Sequence, residues 1–398
     1  MIEGTHTTDR PSRYDAIVVG GRVAGASTAM LLARRGLRVL VLERSTYGSD
    51  TLSTLALMRG GVLQLRRWGL VDRLRAAGTP GLRRTVVHYG DEAVVVPVKE
   101  KAGVDELFAP RRTVLDAVLV DAAVEAGAEV RFGSVVTELV WTGAAVTGVR
   151  GRDRNGGVFE AHAPLVIGAD GRHSAVARAV SAPLTWRSAV SGGVVYGLWS
   201  DLDVPGYEWF YRPGASAGLI PTNDGQVLVW VAASTERFMR CVARDTAAGF
   251  AELVSEIGAG LGETIARGRH DGRFRGFPGM PGYLRKPWGP GWALVGDAGS
   301  FRDPISAHGI SDALRDAELL ARAVPALLAD PSNGGLALAT YEEARDTVAR
   351  PLAEITEAVA GYRWTMTELE GHLKALSRAM AHEVEVLAGL DAPARVAG

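Results

Sequence analysis

Apolar positions follow two rhythms along this chain, and their order predicts its architecture. Short, nearly unbroken apolar runs at residues 16–19, 37–42, 164–168 and 292–295 read as strands buried on both faces. Between the first two runs, residues 24–35 read as a helix that Gly36 closes. Strict alternation at 188–200 and 226–232 predicts antiparallel sheet. Shorter strands are expected at 85–89 and 93–98, paired around Gly90-Asp91, and at 129–132, 135–141, 145–150 and 158–161. Helical spacing recurs at 112–126, with Leu115, Val118, Leu119 and Ala122 on one face, and at 242–257. Beyond residue 330 the pattern is helical. Val348, Leu352, Ile355, Val359 and Tyr362 step by four and three, as do Met366, Leu369, Leu373, Leu376 and Met380. Pro351 is expected to kink or begin a helix.

Composition narrows the class. At 398 residues the chain is long for one domain, and its 47% apolar content can fill a large core. The net charge of −1 gives no pull toward nucleic acid or anionic membrane. The longest charge-free run, 188–200, is too short to span a bilayer, and residues 1–13 are polar, unlike a signal peptide. Cys241 is the single cysteine, which rules out an intrachain disulfide, a Cys-x-x-Cys pair and a cysteine-built zinc site. A soluble, cytoplasmic enzyme with a small-molecule substrate is expected, and a homodimer stays open.

The first chemical signal lies at 15–43. A strand, the glycine turn Gly20-Gly21 to Gly25, a helix and a second strand ending in Glu43 make a dinucleotide-binding βαβ unit. A helix N-terminus offers free N–H groups to a pyrophosphate, here near Ala24. Glu43 can accept bonds from a ribose 2′-hydroxyl and would repel a 2′-phosphate, so the adenosine is that of FAD or NAD. Arg22 stands where the fingerprint has its middle glycine. Residues 59–84 carry seven Arg against Asp72 alone, a run that suits either a solvated face or an anion. The Gly-rich stretch 258–262 follows a helix rather than a strand, so only one dinucleotide fold is expected.

Two further pieces join the first: G-A-D-G at 168–171, and G-D-A at 296–298 with Pro304 and Gly309. In this order and spacing the three resemble the FAD-dependent monooxygenase family, the flavoproteins of the p-hydroxybenzoate hydroxylase type, to which geranylgeranyl reductases and flavin-dependent halogenases are related. The resemblance covers about residues 14–330. It implies an α/β fold: a Rossmann-like FAD-binding domain (14–84, 99–184 and 285–330), an interleaved antiparallel-sheet substrate domain (85–98 and 185–284) and C-terminal helices (331–398). It further implies cofactor-binding roles for Gly20, Gly21, Arg22, Ala24, Gly25, Glu43, Arg44, Arg59, Arg112, Asp170, Gly296, Asp297, Pro304, Gly309, Ile310 and Ser311. Within that set, Asp297 would bind ribityl hydroxyls, and the amides of Ile310 and Ser311 would meet the flavin N1/C2 edge. Arg59 and Arg112 would lie on the phosphate side, or form surface ion pairs. His308 either tunes the flavin or caps its turn.

The same resemblance implies NAD(P)H as reductant and O2 as co-substrate, with oxygen passed through a flavin C4a-hydroperoxide to a small aromatic or polyketide-type molecule. Eight aromatic residues fall within 186–230. They serve as sheet core or as a substrate wall, with Tyr196, Trp199, Trp209 and Tyr211 as wall candidates. No W-x-W-x-I-P occurs, which argues against halogenation by the route that uses it. A reductase of the geranylgeranyl type, without oxygen insertion, is the alternative, and a flavin-binding sensor without turnover is a third.

Overall fold

The computed structural model describes residues 14–330 and 333–391; the polar segment 1–13, read above for a leader, lies outside the described residues. The chain opens with β1 (Ala16–Val19), α1 (Val23–Ala33) and β2 (Val39–Glu43). Then come α2 (Arg59–Arg67), α3 (Val71–Ala76), the hairpin β3 (Arg84–Tyr89) and β4 (Glu92–Pro97), α4 (Arg112–Glu125) and β5 (Glu129–Phe132). A meander of β6 (Val135–Thr142), β7 (Ala145–Arg152) and β8 (Val158–His162) leads to β9 (Val166–Gly168), α5 (Ala175–Ala179) and β10 (Leu184–Arg187). The middle of the chain holds β11 (Gly192–Ser200), β12 (Tyr207–Arg212), β13 (Ala215–Pro221), β14 (Val227–Ser234), α6 (Thr235–Cys241), α7 (Thr246–Ile257), α8 (Leu261–Ala266) and β15 (Arg269–Phe277). Short strands β16 (Tyr283–Arg285), β17 (Trp288–Gly289), β18 (Trp292–Leu294) and β19 (Ser300–Phe301) precede α9 (Gly309–Ala329), α10 (Gly334–Ala360) and α11 (Met366–Gly389).

The central sheet runs β17-β18-β9-β1-β2-β5, parallel except at the β17 edge. Its apolar runs are buried on both faces, as parallel strands require. Ala16, Val18, Val39 and Val41 face α1, α4 and α9, while Ile17, Val19, Leu40 and Leu42 face the β6–β8 meander and α5. This is the α/β architecture the pattern predicts.

A seven-stranded sheet, ordered β15-β11-β14-β13-β12-β3-β4, stands beside it. Period-two alternation sorts its side chains. Tyr196, Trp209, Tyr211, Trp230 and Ala232 join the main core. Val195, Trp199, Phe210, Leu219 and Val231 face away, under Phe250, Leu253 and Ile257 of α7.

Three local expectations are corrected. Strand β11 begins at Gly192, because Ser188 and Ala189 are bonded to Glu357 of α10 instead. The helix expected at 242–257 starts only at Thr246, after a turn that separates it from α6. Asp245 accepts from the N–H groups of Ala247 and Ala248 and starts α7 afresh. Pro351 does not begin a helix: α10 runs through it, losing one hydrogen bond while its buried residues Val348 and Leu352 keep their packing.

Candidate functional site

The glycine turn is set by close backbone approach. Gly20 takes φ +102°, and a Cβ there would lie 2.4 Å from the Ala169 carbonyl oxygen. On Gly25 it would lie 1.8 Å from the carbonyl oxygen of Gly20, and on Gly21 it would lie 2.9 Å from the Glu43 Cβ. Position 22 carries no such constraint. Arg22 is extended, and its guanidinium donates to Asp116 (2.9 Å) and to the Ser49 carbonyl (3.1 Å). That is why the fingerprint tolerates arginine there. As N-cap of α1, Arg22 supplies no side-chain cap, and the first turn holds no acid, so its N–H groups remain available to an anion.

Glu43 is buried at the tip of β2. Its Oε2 accepts from the Gly21 N–H at 2.6 Å, and its Oε1 from the N–H (2.8 Å) and Oγ (2.6 Å) of Ser45. Burial works against the charge, but these bonds outweigh it and hold the carboxyl below the usual range. An ionised carboxylate has about four acceptor positions, so capacity remains for a hydroxyl. Beside it lies a cleft of about 240 Å³ lined by Arg22, Glu43, Ser45, Tyr47, Val120 and Phe132. Ser45, Tyr47 and Phe132 escaped the sequence reading because nothing in their spacing marks them. Acceptors, small residues and apolar walls fit an adenosine.

The second part of the groove is built by the turn after β18 and the start of α9. Gly296 has φ +57°, and Asp297 follows it, largely but not fully buried. Burial first, and the charge of Asp312 second, raise the Asp297 carboxyl to about 6; Arg172 and Arg112 pull the other way. Arg112 is the expected phosphate-side arginine. It makes a two-pronged pair with Asp116 (2.9 and 3.1 Å), one turn along α4, while its field reaches Asp297. Asp170 receives the N–H groups of Ala175 (2.6 Å) and Val176 (3.3 Å) on Oδ2, and leaves a buried Oδ1 without a partner. Arg59 donates to the Val104 carbonyl, away from the glycine turn, and Arg44 is exposed.

Pro304 opens a short 3-10 turn that leads through His308 into α9. Like α1, α9 has no side-chain cap. The Ser311 Oγ is buried without a partner, and Ile310 is half-buried. The His308 ring turns into the protein, its Nε2 2.6 Å from Glu383 Oε2 on α11. Around this pair lies an ion network. Arg315 reaches Glu383 (3.0 Å), Asp312 (2.5 Å) and Asp316 (2.7 Å); Arg302 lies 3.1 Å from Asp312; and Asp316 accepts the Gly296 N–H at 3.1 Å. His308, Asp312 and Glu383 hold three donor atoms within 4.8 Å, a spacing that suits a metal ion. The two guanidinium groups already supply the positive charge there. Glu383 was missed because it lies 75 residues beyond its partner, in what reads as an ordinary helical stripe.

Facing the Pro304 turn, the seven-stranded sheet lines a partly open pocket of about 330 Å³, counted with the solvent it opens to. Trp209, Trp230, Val194 and Ala232 wall it on the sheet side, and Asp303, Pro304, Ile305 and Ala307 on the other. Asp303 is buried; its carboxylate accepts from the N–H groups of Gly192 (2.6 Å) and Ile305 (3.0 Å), while burial raises it to about 6. Of the four wall candidates only Trp209 lines this cavity. Trp199 is on the opposite face, stacked on Phe250 at 5.4 Å. Tyr196 accepts from the Ser53 N–H, and Tyr211 is buried beyond the cavity wall. Trp230 was overlooked although it pairs directly with Tyr196 across the sheet.

A parallel α/β sheet with a glycine turn at a helix N-terminus, joined to a second helix start and an aromatic cavity, defines a flavin-dependent oxidoreductase. The chain belongs to the FAD binding domain family, whose family model matches residues 13–356, and FAD is its cofactor. Digeranylgeranylglycerophospholipid reductase 2 of Methanothermobacter thermautotrophicus is 27% identical over 347 residues, covering 83% of this chain and 82% of that protein. Squalene monooxygenase of Mus musculus is 27% identical over 320 residues, covering 77% and 54%. A triple mutant of the flavin-dependent brominase Bmp2 shares the fold, with a TM-score of 0.80 at 19% identity over 94% of each chain. Among the described residues no helix is long and apolar enough to cross a membrane.

Proposed function

We propose that this protein is an FAD-dependent monooxygenase that uses NAD(P)H and O2 to oxygenate a small, largely apolar molecule with an aromatic or polyketide-type ring. The observation that carries the reading is the cavity between Trp209, Trp230 and the Pro304 turn: it is aromatic-walled, mostly apolar and adjacent to the α9 start. Similarity to a squalene monooxygenase supports the same chemistry.

Bound FAD would supply electron transfer from the reductant and activation of O2, chemistry that side chains do not provide. The α1 N-terminus would hold the pyrophosphate, with Gly20, Gly21 and Gly25 admitting it. Glu43 would take ribose hydroxyls on its remaining acceptor positions, and Asp297 the ribityl chain. The unopposed N–H groups of Gly309, Ile310 and Ser311 would face the negative edge of the ring system. Arg112 would act on the phosphates through its field, while Arg59 is engaged with the Val104 carbonyl and Arg44 is exposed. The apolar cavity would orient the substrate and exclude water. Asp303, raised to about 6, could hold or take a proton at the cavity wall near neutral pH.

The test is O2 uptake with NADH or NADPH across a panel of aromatic and polyketide-type compounds, with isotopic oxygen traced into product. Stimulated uptake and label in the product support the reading. Conversion that proceeds without O2 overturns it in favour of a reductase. That second reading has its own support, because the similarity to the digeranylgeranylglycerophospholipid reductase spans 82% of that protein, against 54% of the squalene monooxygenase.

A further inference from the structure

We propose that the β4 edge of the seven-stranded sheet is a dimerisation surface, on which a second copy of this chain adds its own β4 antiparallel about a two-fold axis at Val95. This rests on the fold alone and is independent of the oxygenation proposed above.

Three observations converge. The first is the contrast between the two edges of that sheet, β15 and β4. An unpaired edge presents free N–H and C=O groups, and soluble proteins guard it with charge, bulges or proline. Strand β15 is guarded along its length. It carries Arg269, Asp271, Arg273 and Arg275, and its ladder with β11 shifts register between Tyr196 and Leu198. Strand β4 has guards only at its two ends, Glu92 and Pro97. Its ladder with β3 runs without a shift, and no charged residue falls between Ala93 and Val98. All of β4 is exposed, and Val94, Val95 and Val96 keep 47%, 59% and 45% of their surface open. Three consecutive valines set apolar side chains on both faces of the strand.

The second is the direction of the backbone groups. The Val98 N–H donates to the Arg83 carbonyl at 2.8 Å, which sets the alternation along the β3–β4 ladder. Glu92, Val94 and Val96 therefore bond toward β3, while Ala93 and Val95 turn N–H and C=O outward and Pro97 its carbonyl. With the axis at Val95, each Val95 N–H meets the Val95 carbonyl of the other copy. Each Ala93 N–H meets the Pro97 carbonyl, and the N–H that proline lacks costs one bond on each side. The third is charge. Glu92 opens the strand and Lys99 follows its end; the neighbouring Asp91, Glu100 and Lys101 are held within the chain by Arg212, the Gly103 N–H and Glu385. Antiparallel copies set the acidic entry of each strand beside the basic exit of the other, whereas parallel copies would set like against like. A second copy makes that match twice by symmetry, and the closed pair leaves neither β4 edge open.

The experiment is sedimentation velocity of the FAD-loaded protein over a concentration series, for the parent, Val95→Lys and Val158→Lys. Val158 is another exposed strand valine, on β8. The parent should sediment with twice the chain mass. Val95→Lys should weaken the dimer by at least about 10-fold, because it sets two lysines together at the axis, and Val158→Lys should leave it unchanged. A monomer throughout the series overturns the proposal. So does a dimer that Val95→Lys leaves intact, one that Val158→Lys weakens equally, or association that grows beyond two copies. Parent protein that stays monomeric but binds phospholipid vesicles through Val95 assigns the edge to a lipid surface instead. The axis is read separately: Val95→Cys in a Cys241→Ser background should form an interchain disulfide under mild oxidation, and a dimer that does not cross-link there overturns it. If Val95→Lys loses its FAD, that cross-link decides alone.

Discussion

At the glycine turn the decisive contacts are between backbone atoms: Gly20 against Ala169, and Gly25 against Gly20. At the α9–α11 junction they are between polar and charged side chains from positions 302, 308, 312, 315 and 383. The first region packs the turn of residues 20–25 on itself and on Ala169, and tolerates almost no added volume. The second is gathered from distant segments and depends on charge balance. A nucleotide's phosphates can thus be received by rigid local geometry, while the surroundings of its ring end depend on long-range assembly. Each prediction below breaks one side of this contrast or measures how far it extends.

The largest effect is expected from Gly25→Val. Any Cβ there falls within 1.8 Å of a backbone oxygen, so the turn must open. FAD affinity should drop by at least about 100-fold, in the range seen when a few kcal/mol of binding are removed. Fluorescence titration of FAD checks it; near-normal affinity would show that the turn is not the phosphate cradle.

Next is Arg315→Met, which strips the shared cation from Asp312, Asp316 and Glu383. Breaking a buried pair from one side costs about 3–5 kcal/mol. Urea unfolding should show that loss, with partial recovery at low pH as the carboxylates take up protons.

Asp297→Asn tests stored strain. The folded carboxyl titrates near 6, above its ordinary 3.8. A raised acid penalises the ionised folded state, so that penalty is fully present above pH 6 and absent below about pH 3.8. The apo-protein variant should therefore be more stable than the parent at pH 8, by up to about 3 kcal/mol, and no more stable near pH 3.5. Its FAD affinity should fall if the carboxylate serves the cofactor. Greater stability at both pH values would reject the burial argument.

The two faces of the seven-stranded sheet give a smaller, sharper test. Trp230→Leu should raise KM for the substrate by about 10-fold, the value of one or two kcal/mol of lost contact. Trp199→Leu, on the α7 face, should lower Tm and leave KM unchanged. The smallest effect is expected from Arg22→Gly, which restores the fingerprint glycine. The Arg22–Asp116 pair is partly exposed, and Asp116 keeps Arg112. FAD affinity should change by less than about 1 kcal/mol.

Much of the fold was legible because short-range physics writes it directly. Apolar runs of four to six residues flanked by glycine gave β1, β2, β9 and β18, and the glycine turn with Glu43 gave the nucleotide end. The substrate wall was only partly legible, although period two could have sharpened it. Tyr196 and Trp199 are three apart on one strand, so they cannot share a face, and Trp230 opposes Tyr196. The Glu383–His308 contact was not legible. One buried acid in a helical stripe looks like any solvent-facing glutamate until the fold places α11 against α2 and brings Glu383 to His308 and Arg315.

The position of Glu383 also fixes an order of events during synthesis. When α9 leaves the ribosome, the carboxylate that will neutralise its arginine and histidine is still some seventy residues from being made. Until α11 docks, Arg315 and the His308 ring lack the carboxylate that meets them in the fold. The nascent chain holds the residues of its glycine turn and of Ala169 well before it holds Glu383, the partner of His308.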